Sequence, residues 1–345
     1  MNSGGTGDLY GKYADAVYLP SKVRLESCTL CQLKCKCCYM RNDVNTVGIG
    51  YLRFADFMRF VDRHPYVKEI EISNSGEIFL NKDLPAIMEY AFHKRVALTA
   101  WSGANFNNVS DEALDALVRF RFKGLTLSID GATQAAYEKY RVGGCLDRVF
   151  ENVRKLNELK RKYNSPYPKL SWQFIIFGHN EREIPLVKKM APELGFSNVF
   201  FKLNYDGNFS PVEDVEFVKR ETGLKYVSRA EYLEHEGKSY SRSMCMALWK
   251  APAINWDGRL LGCCNMYKDD FGVNVFECGL EKALGSRRFR EAQKMLLNFE
   301  PETDNPCVNC QRYKIMKETK SYLTLEEIEE YKKLSLIHIS EPTRH

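Results

Sequence analysis

Several familiar features are missing from this sequence, and each absence removes a class of protein. Nowhere in the 345 residues do eighteen apolar residues run together, so no segment reads as a membrane-spanning helix. The opening stretch MNSGGTGDLYGKYADAVYLP has no apolar core of signal-peptide length, so no export address is read there. Strong charge of one sign is also missing. Fifty Lys and Arg against 45 Asp and Glu leave +5, with no dense basic stripe of the kind a nucleic-acid surface shows. The richest basic run, LKRKYN at 159–164, is flanked by acidic and apolar residues and reads as a solvated helix face. No internal repeat stands out. The expectation is a cytoplasmic protein with no membrane and no nucleic-acid partner.

Cysteine is abundant instead. Twelve thiols in a reducing compartment point to metal or redox chemistry more than to disulfides. With 44% hydrophobic residues the chain can bury ordinary cores. Apolar strands are expected at 21–27, 67–73, 95–102, 124–130, 169–177 and 198–204. Helical patterns fall between them at 54–63, 83–94, 110–120, 145–163 and 181–195. Ser110, followed by Asp111 and Glu112, is a good helix start, and Pro85 sits where its missing N–H costs little. This alternation implies an α/β fold with a parallel sheet, open or curled into a partial barrel. In such sheets reactive groups gather at the carboxyl ends of the strands. Those ends carry a cysteine cluster, then SNSGE (73–77), SGAN (102–105), SIDG (128–131) and GHNE (178–181), so the unusual residues share one rim.

Cys31, Cys35 and Cys38 form C-x3-C-x2-C. Three thiolates on one loop can hold a four-iron cube while leaving one iron open, whereas two zinc knuckles, Cys28-x2-Cys31 and Cys35-x2-Cys38, are the competing reading. Their separation is far shorter than a zinc ribbon uses. Downstream, Cys245 and Cys263 frame a C-x12-G-x4-C around Gly258, followed by Cys307-x2-Cys310. Four thiolates make a closed site, and spacing alone leaves it open between zinc and an iron–sulfur cluster.

Cys31-x3-Cys35-x2-Cys38 with Tyr39 behind it resembles the signature of the radical S-adenosylmethionine (radical SAM) superfamily. SNSGEIFLNKDL (73–84) and LTLSIDGATQAAYEKYRVGGCLDRVFENVRKL (125–156) resemble its later motifs in the expected order. The resemblance implies a partial (β/α)6 TIM-like barrel over 21–205, after an extension at 1–20. It implies a [4Fe-4S] cluster on Cys31, Cys35 and Cys38 whose open iron chelates S-adenosylmethionine (SAM), and an external electron donor such as flavodoxin or ferredoxin. Tyr39 and the turn Ser75, Gly76 and Glu77 would contact SAM. Ser128 and Arg141 would hold its carboxylate, and Asp130 or Asn105 would meet the ribose; Glu77 capping a helix and Arg141 in a surface pair are the bland alternatives. Two departures stand out: Cys37 where an aromatic is usual, and Ser75 where the first glycine of a Gly-Gly-Glu motif is usual.

Past a polar connector at 206–240, residues 241–320 resemble the shortened SPASM-like domain called Twitch. That implies an auxiliary [4Fe-4S] cluster on Cys245, Cys263, Cys307 and Cys310. Of the remaining cysteines, Cys28, Cys37, Cys145 and Cys278 read as small buried hydrophobes. Cys264 is the candidate hydrogen-atom donor if the chemistry is epimerisation. Residues 321–345 hold a closing helix at 324–334, and SLIHISEPTRH at the end resembles a translated sequencing adapter. The expected substrate is a small sugar or aminoglycoside-like molecule, dehydrogenated or epimerised. A ribosomal peptide is the alternative, argued against by the short segment before the first strand, and a zinc-stabilised binding protein is the other class.

Overall fold

The computed structural model describes residues 17–38, 40, 48–263 and 268–331. Its centre is an eight-stranded sheet in the order β6-β5-β4-β3-β2-β1-β7-β8. The strands are β1 (Lys22–Leu25), β2 (Glu69–Glu71), β3 (Ala97–Ala104), β4 (Gly124–Ser128), β5 (Lys169–Ile176), β6 (Asn198–Leu203), β7 (Ala253–Ile254) and β8 (Leu260–Gly262). From β1 to β6 every neighbouring pair is parallel. The crossovers carry α1 (Phe54–Arg63), α2 (Leu84–His93), α3 (Asp111–Arg119), α4 (Gln134–Tyr140), α5 (Leu146–Lys162) and α6 (Ile184–Glu193). β1 and β6 do not pair, so the barrel is partial. No helix among the described residues is long and apolar enough to cross a membrane.

Local chemistry explains the element ends. Ser110 Oγ accepts from Ala113 N–H at 3.1 Å and Thr133 Oγ1 from Ala136 N–H at 3.3 Å, each satisfying a free first-turn donor. On α5 the buried Leu146, Val149, Phe150, Val153 and Leu156 recur at helical spacing and turn one stripe to the sheet. The core lies there, between the helices and the outward side chains of the strands: Val23 and Leu25, Ile70 and Ile72, Leu125 and Leu127, Trp172 and Phe174 are all fully buried. Each such side chain contributes about 1.5–3 kcal/mol by leaving water.

The strands alternate more strictly than a sheet buried on both faces requires. Residues of one parity are apolar and meet the helices. Those of the other parity face the barrel lumen and include a polar set, Arg24 opposite Glu71, Glu71 opposite Thr99 and Ser128 opposite Gln173, beside the apolar Ala97, Ile175 and Phe200. The floor of the lumen is closed by Glu69, which accepts from Lys22 and Lys123 at 2.5 Å each.

β7 extends the sheet beyond β1 in parallel, and β8 returns antiparallel. Two short helices, α7 (Val215–Thr222) and α8 (Arg229–Glu236), occupy the polar stretch after β6. The expected helix near 285–297 is Arg287–Leu296, and 325–331 is helical as expected for the closing element. The remainder of that element and the terminal SLIHISEPTRH fall outside the described residues.

Candidate functional site

Beyond β1 the chain runs directly into the loop of the first cysteines. Its backbone is pinned on two sides. Lys34 N–H and Lys36 N–H donate to the carbonyls of Val142 and Tyr140 at 2.9 and 3.2 Å, and Glu77 N–H donates to Leu30 C=O at 2.7 Å. Cys31 faces solvent, Cys35 is buried and Cys38 is half-buried. Two side-chain N–H groups reach the sulfurs: Asn105 Nδ2 lies 3.6 Å from Cys31 Sγ, and Arg141 Nη1 lies 3.7 Å from Cys35 Sγ. Such donors favour the negative sulfur of a metal-bound thiolate. In the metal-free chain, burial pushes the Cys35 thiol up, and Arg141 opposes that.

Gly76 is fixed by close approach. A Cβ there would stand 2.3 Å from the Cys28 carbonyl oxygen and 2.5 Å from that of Leu30, so only glycine lets the second strand's turn press against the thiol loop. Glu77 follows, wholly buried. One carboxylate oxygen accepts from Phe79 N–H at 3.3 Å, capping the 3-10 turn Ile78–Leu80, and the other accepts from Asn105 N–H at 2.6 Å. Glu77 thus does cap a helix, and it also ties the β2 and β3 rims together. Burial pushes its carboxyl up to about 7, against attraction from Arg141, and among the described residues no cation is in contact with it.

The two residues expected at the ribose each have hydrogen-bond partners within the chain. Asn105 Oδ1 accepts from Gln32 Nε2 at 2.8 Å and from Asn107 N–H at 3.0 Å, so this side chain braces the Cys31 loop. Asp130 is fully buried. Its carboxylate accepts from Ile175 N–H and from Arg141 Nε, both at 2.6 Å. Arg141 therefore sits in a buried ion pair rather than a surface one and spans from Asp130 to Cys35. Ser128 faces the lumen, where its Oγ accepts from Gln173 Nε2 at 3.4 Å; a Cβ on Gly103 would stand 2.3 Å from that oxygen. Ser75 donates its N–H to Glu26 Oε2 at 2.9 Å. Tyr39 and Cys264 lie outside the described residues.

Glu26 was not singled out from the sequence. It is 3% exposed, its Oε1 has no hydrogen-bond partner, and burial pushes it to about 7. The available signal was the alternation in KVRLES, which puts Arg24 and Glu26 on the lumen face of β1. Glu71 was also missed. It accepts from Ser73 Oγ, Thr99 Oγ1, Trp101 N–H and Ser102 N–H between 2.6 and 3.1 Å, and so holds the β3 irregularity that carries Asn105 to the rim.

The second set converges as well. Cys245, Cys263, Cys307 and Cys310 line one apolar cavity with Leu248 and Leu296. Burial raises the Cys307 thiol strongly, and the three neighbouring sulfurs add to the rise. Among the described residues no three Cys, His, Asp or Glu side chains stand close enough to hold a single metal ion.

Neither family models nor curated protein sequences match the chain. Solved structures do. SuiB of Streptococcus suis bound to S-adenosylmethionine aligns over 88% of this chain and 73% of its own, with TM-score 0.62 and 15% identity. SuiB bound to its precursor peptide SuiA gives TM-score 0.62 and 14% identity over 88% of this chain and 72% of that one. The protein anSMEcpe with bound AdoMet aligns over 87% and 88%, with TM-score 0.57 and 16% identity. At these identities the likeness is one of fold. That fold is a partial parallel barrel shared with these S-adenosylmethionine-bound proteins.

Proposed function

We propose that this protein is a radical SAM enzyme acting on a small molecule held in the barrel lumen, by dehydrogenation or epimerisation. The observation that carries the proposal is the rim loop. It presents Cys31, Cys35 and Cys38 under the N–H donors of Asn105 and Arg141, at the carboxyl end of β1, within a fold shared with SAM-bound proteins. The donor set, three thiols on one loop, fits a multinuclear cluster in which each sulfur binds its own iron. Cys31, Cys35 and Cys38 would hold a [4Fe-4S] cluster there, and with SAM bound it would supply reductive one-electron cleavage and hydrogen abstraction from substrate.

The chain's own residues prepare that site. Asn105 and Arg141 stabilise thiolate charge at Cys31 and Cys35. Gly76 keeps the β2 turn against the loop. Glu26 and Glu77 place two buried carboxylates on either side of the Ser75–Gly76 turn with no cation among the described residues in contact, an environment that suits the ammonium of SAM. Ser128 offers a hydroxyl to its carboxylate. Asp130 orients Arg141 and so acts through it. Cys245, Cys263, Cys307 and Cys310, around their apolar cavity, would hold the auxiliary [4Fe-4S] cluster of a Twitch-like domain at 241–320. Such a cluster could accept the electron left by an oxidised substrate radical, whereas epimerisation would call on Cys264.

Peptide modification is the second reading, favoured by the likeness to SuiB in its peptide-bound form. Anaerobic reconstitution followed by dithionite in the presence of SAM tests the shared step. Release of 5′-deoxyadenosine is expected, and Cys31→Ala should abolish it. A colourless protein carrying only zinc, or a Cys31→Ala variant that still cleaves SAM, would refute the assignment.

A further inference from the structure

The lumen contains two kinds of cation. On the floor, Lys22 and Lys123 share the Glu69 carboxylate, each with an ion-pair partner. Halfway up, Arg24 and Lys202 have none. Arg24 lies directly across from Glu71 in the β1–β2 register, yet Glu71 is turned toward β3, with both carboxylate oxygens filled by four other donors. Arg24 Nη1 instead donates to the neutral Ser102 Oγ at 2.5 Å, and Lys202 Nζ donates to the neutral Gln173 Oε1. Among the described residues neither cation has a carboxylate within ion-pair distance.

The two belong to one neighbourhood. Arg24 reaches Ser102, a Cβ on the adjoining Gly103 would stand 2.3 Å from Ser128 Oγ, and Ser128 accepts from the same Gln173 that accepts from Lys202, so one run of contacts joins them. Desolvation lowers Lys202, and repulsion from Arg229, Arg141 and Arg24 lowers it further, against attraction from Asp130. Arg229 stands at the mouth between the rings of Tyr205 and Tyr240, at 5.3 and 5.2 Å. Its Nε is buried without a hydrogen-bond partner. Cations gathered in a walled space repel one another and have lost water, which is unfavourable unless an anion completes the set. The floor shows that this chain supplies a carboxylate where it needs one.

We propose that Arg24 and Lys202 form the subsite for an anionic group, a carboxylate or a phosphate ester, on the substrate. This inference rests on the reading of the lumen as the substrate chamber of a radical SAM enzyme. Arg24 offers a planar fork suited to two oxygens, Lys202 a point charge from β6, and Gln173 and Ser102 hold the pair poised. Glu26, one pleat above Arg24, repels an anion seated too near the rim and so favours the deeper position. Neutral sugars, which bring no charge to this pair, are disfavoured as substrates.

The test is calorimetric titration of the reconstituted holoprotein, with saturating SAM present to fill the cofactor's own carboxylate contacts. The ligands are inorganic phosphate and, separately, acetate. Saturable binding of one anion per chain is expected, weakened at least tenfold in Arg24→Gln and Lys202→Gln and largely kept in Lys202→Arg; the tighter of the two anions names the source. Binding unchanged in both glutamine variants overturns the proposal, as does no saturable binding by the wild type. Loss of SAM binding in the variants also overturns it, because the cations would then serve the cofactor. Folding of each variant is checked by circular dichroism, and Lys202→Arg separates charge from packing. SAM cleavage by the wild type is assayed apart from these titrations. A protein that binds anions at Arg24 and Lys202 but never cleaves SAM would sink the enzymatic reading and leave the subsite standing.

Discussion

Glu26→Gln should stabilise this protein, and only on the alkaline side. The Glu26 carboxyl is buried against the Ser75 turn with one oxygen unpartnered, and burial pushes it from 4.5 to about 7. Below pH 4.5 both the folded and unfolded chains hold the proton, and the site is neutral to stability. Between 4.5 and 7 the unfolded chain releases its proton while the folded one keeps it, so stability falls as pH rises. Above 7 the folded chain ionises as well and the loss stays constant. An interval of about 2.5 pH at about 1.4 kcal/mol per pH unit puts that loss near 3 kcal/mol. Glutamine has the same shape and no charge to desolvate. Chemical denaturation of the SAM-free reconstituted protein should therefore show the variant ahead by about 3 kcal/mol at pH 8 and by under about 1 kcal/mol at pH 5. Equal differences at the two pH values, or a glutamine variant less stable at pH 8, would refute the account. Glu77, which also ionises near 7, cancels because it is present in both proteins.

Gly76→Ala should lose the iron bound at Cys31, Cys35 and Cys38, since its Cβ would meet backbone oxygens at 2.3 and 2.5 Å and break the Glu77–Leu30 hydrogen bond; iron assay and visible absorption check this. Arg141→Gln should destabilise by about 3–5 kcal/mol, because Asp130 is 0% exposed and would be left charged without its partner; denaturant titration reads it, and Asp130→Asn added to it should recover part of the loss. Cys307→Ala should lower iron from about eight to about four per chain if both cysteine sets hold four-iron clusters, with the first set still reconstituting.

The six parallel strands and the helices between them were legible because each carries its own period, and the cysteines were legible because thiols at short spacing are rare. The polar lumen was equally present in KVRLES and KEIEIS. It is hard to read there because parallel strands buried on both faces are expected to be continuous apolar runs. The partners of Glu77 and Asn105 could not be read, since they depend on how the irregular β3 places residues 101–105 beside the β2 turn. That Asp130 would be consumed by Arg141 and Ile175 was also invisible: an Asp–Gly pair after a strand looks the same whether it faces ligand or core. Helix α4 was missed because its seven residues are too few to show a period.

The strand that leads into the first thiol loop is bonded on its far side to the hairpin that ends at Cys263. Arg24 and Glu26 donate their backbone N–H groups to the carbonyls of Pro252 and Ile254 at 3.1 and 2.9 Å. The spacing between the two sulfur sets is thus gauged by the ladder of a single sheet, and not by the polar tether that joins them in sequence. Insertions in that tether could reshape the mouth of the chamber without altering the gap an electron would have to cross.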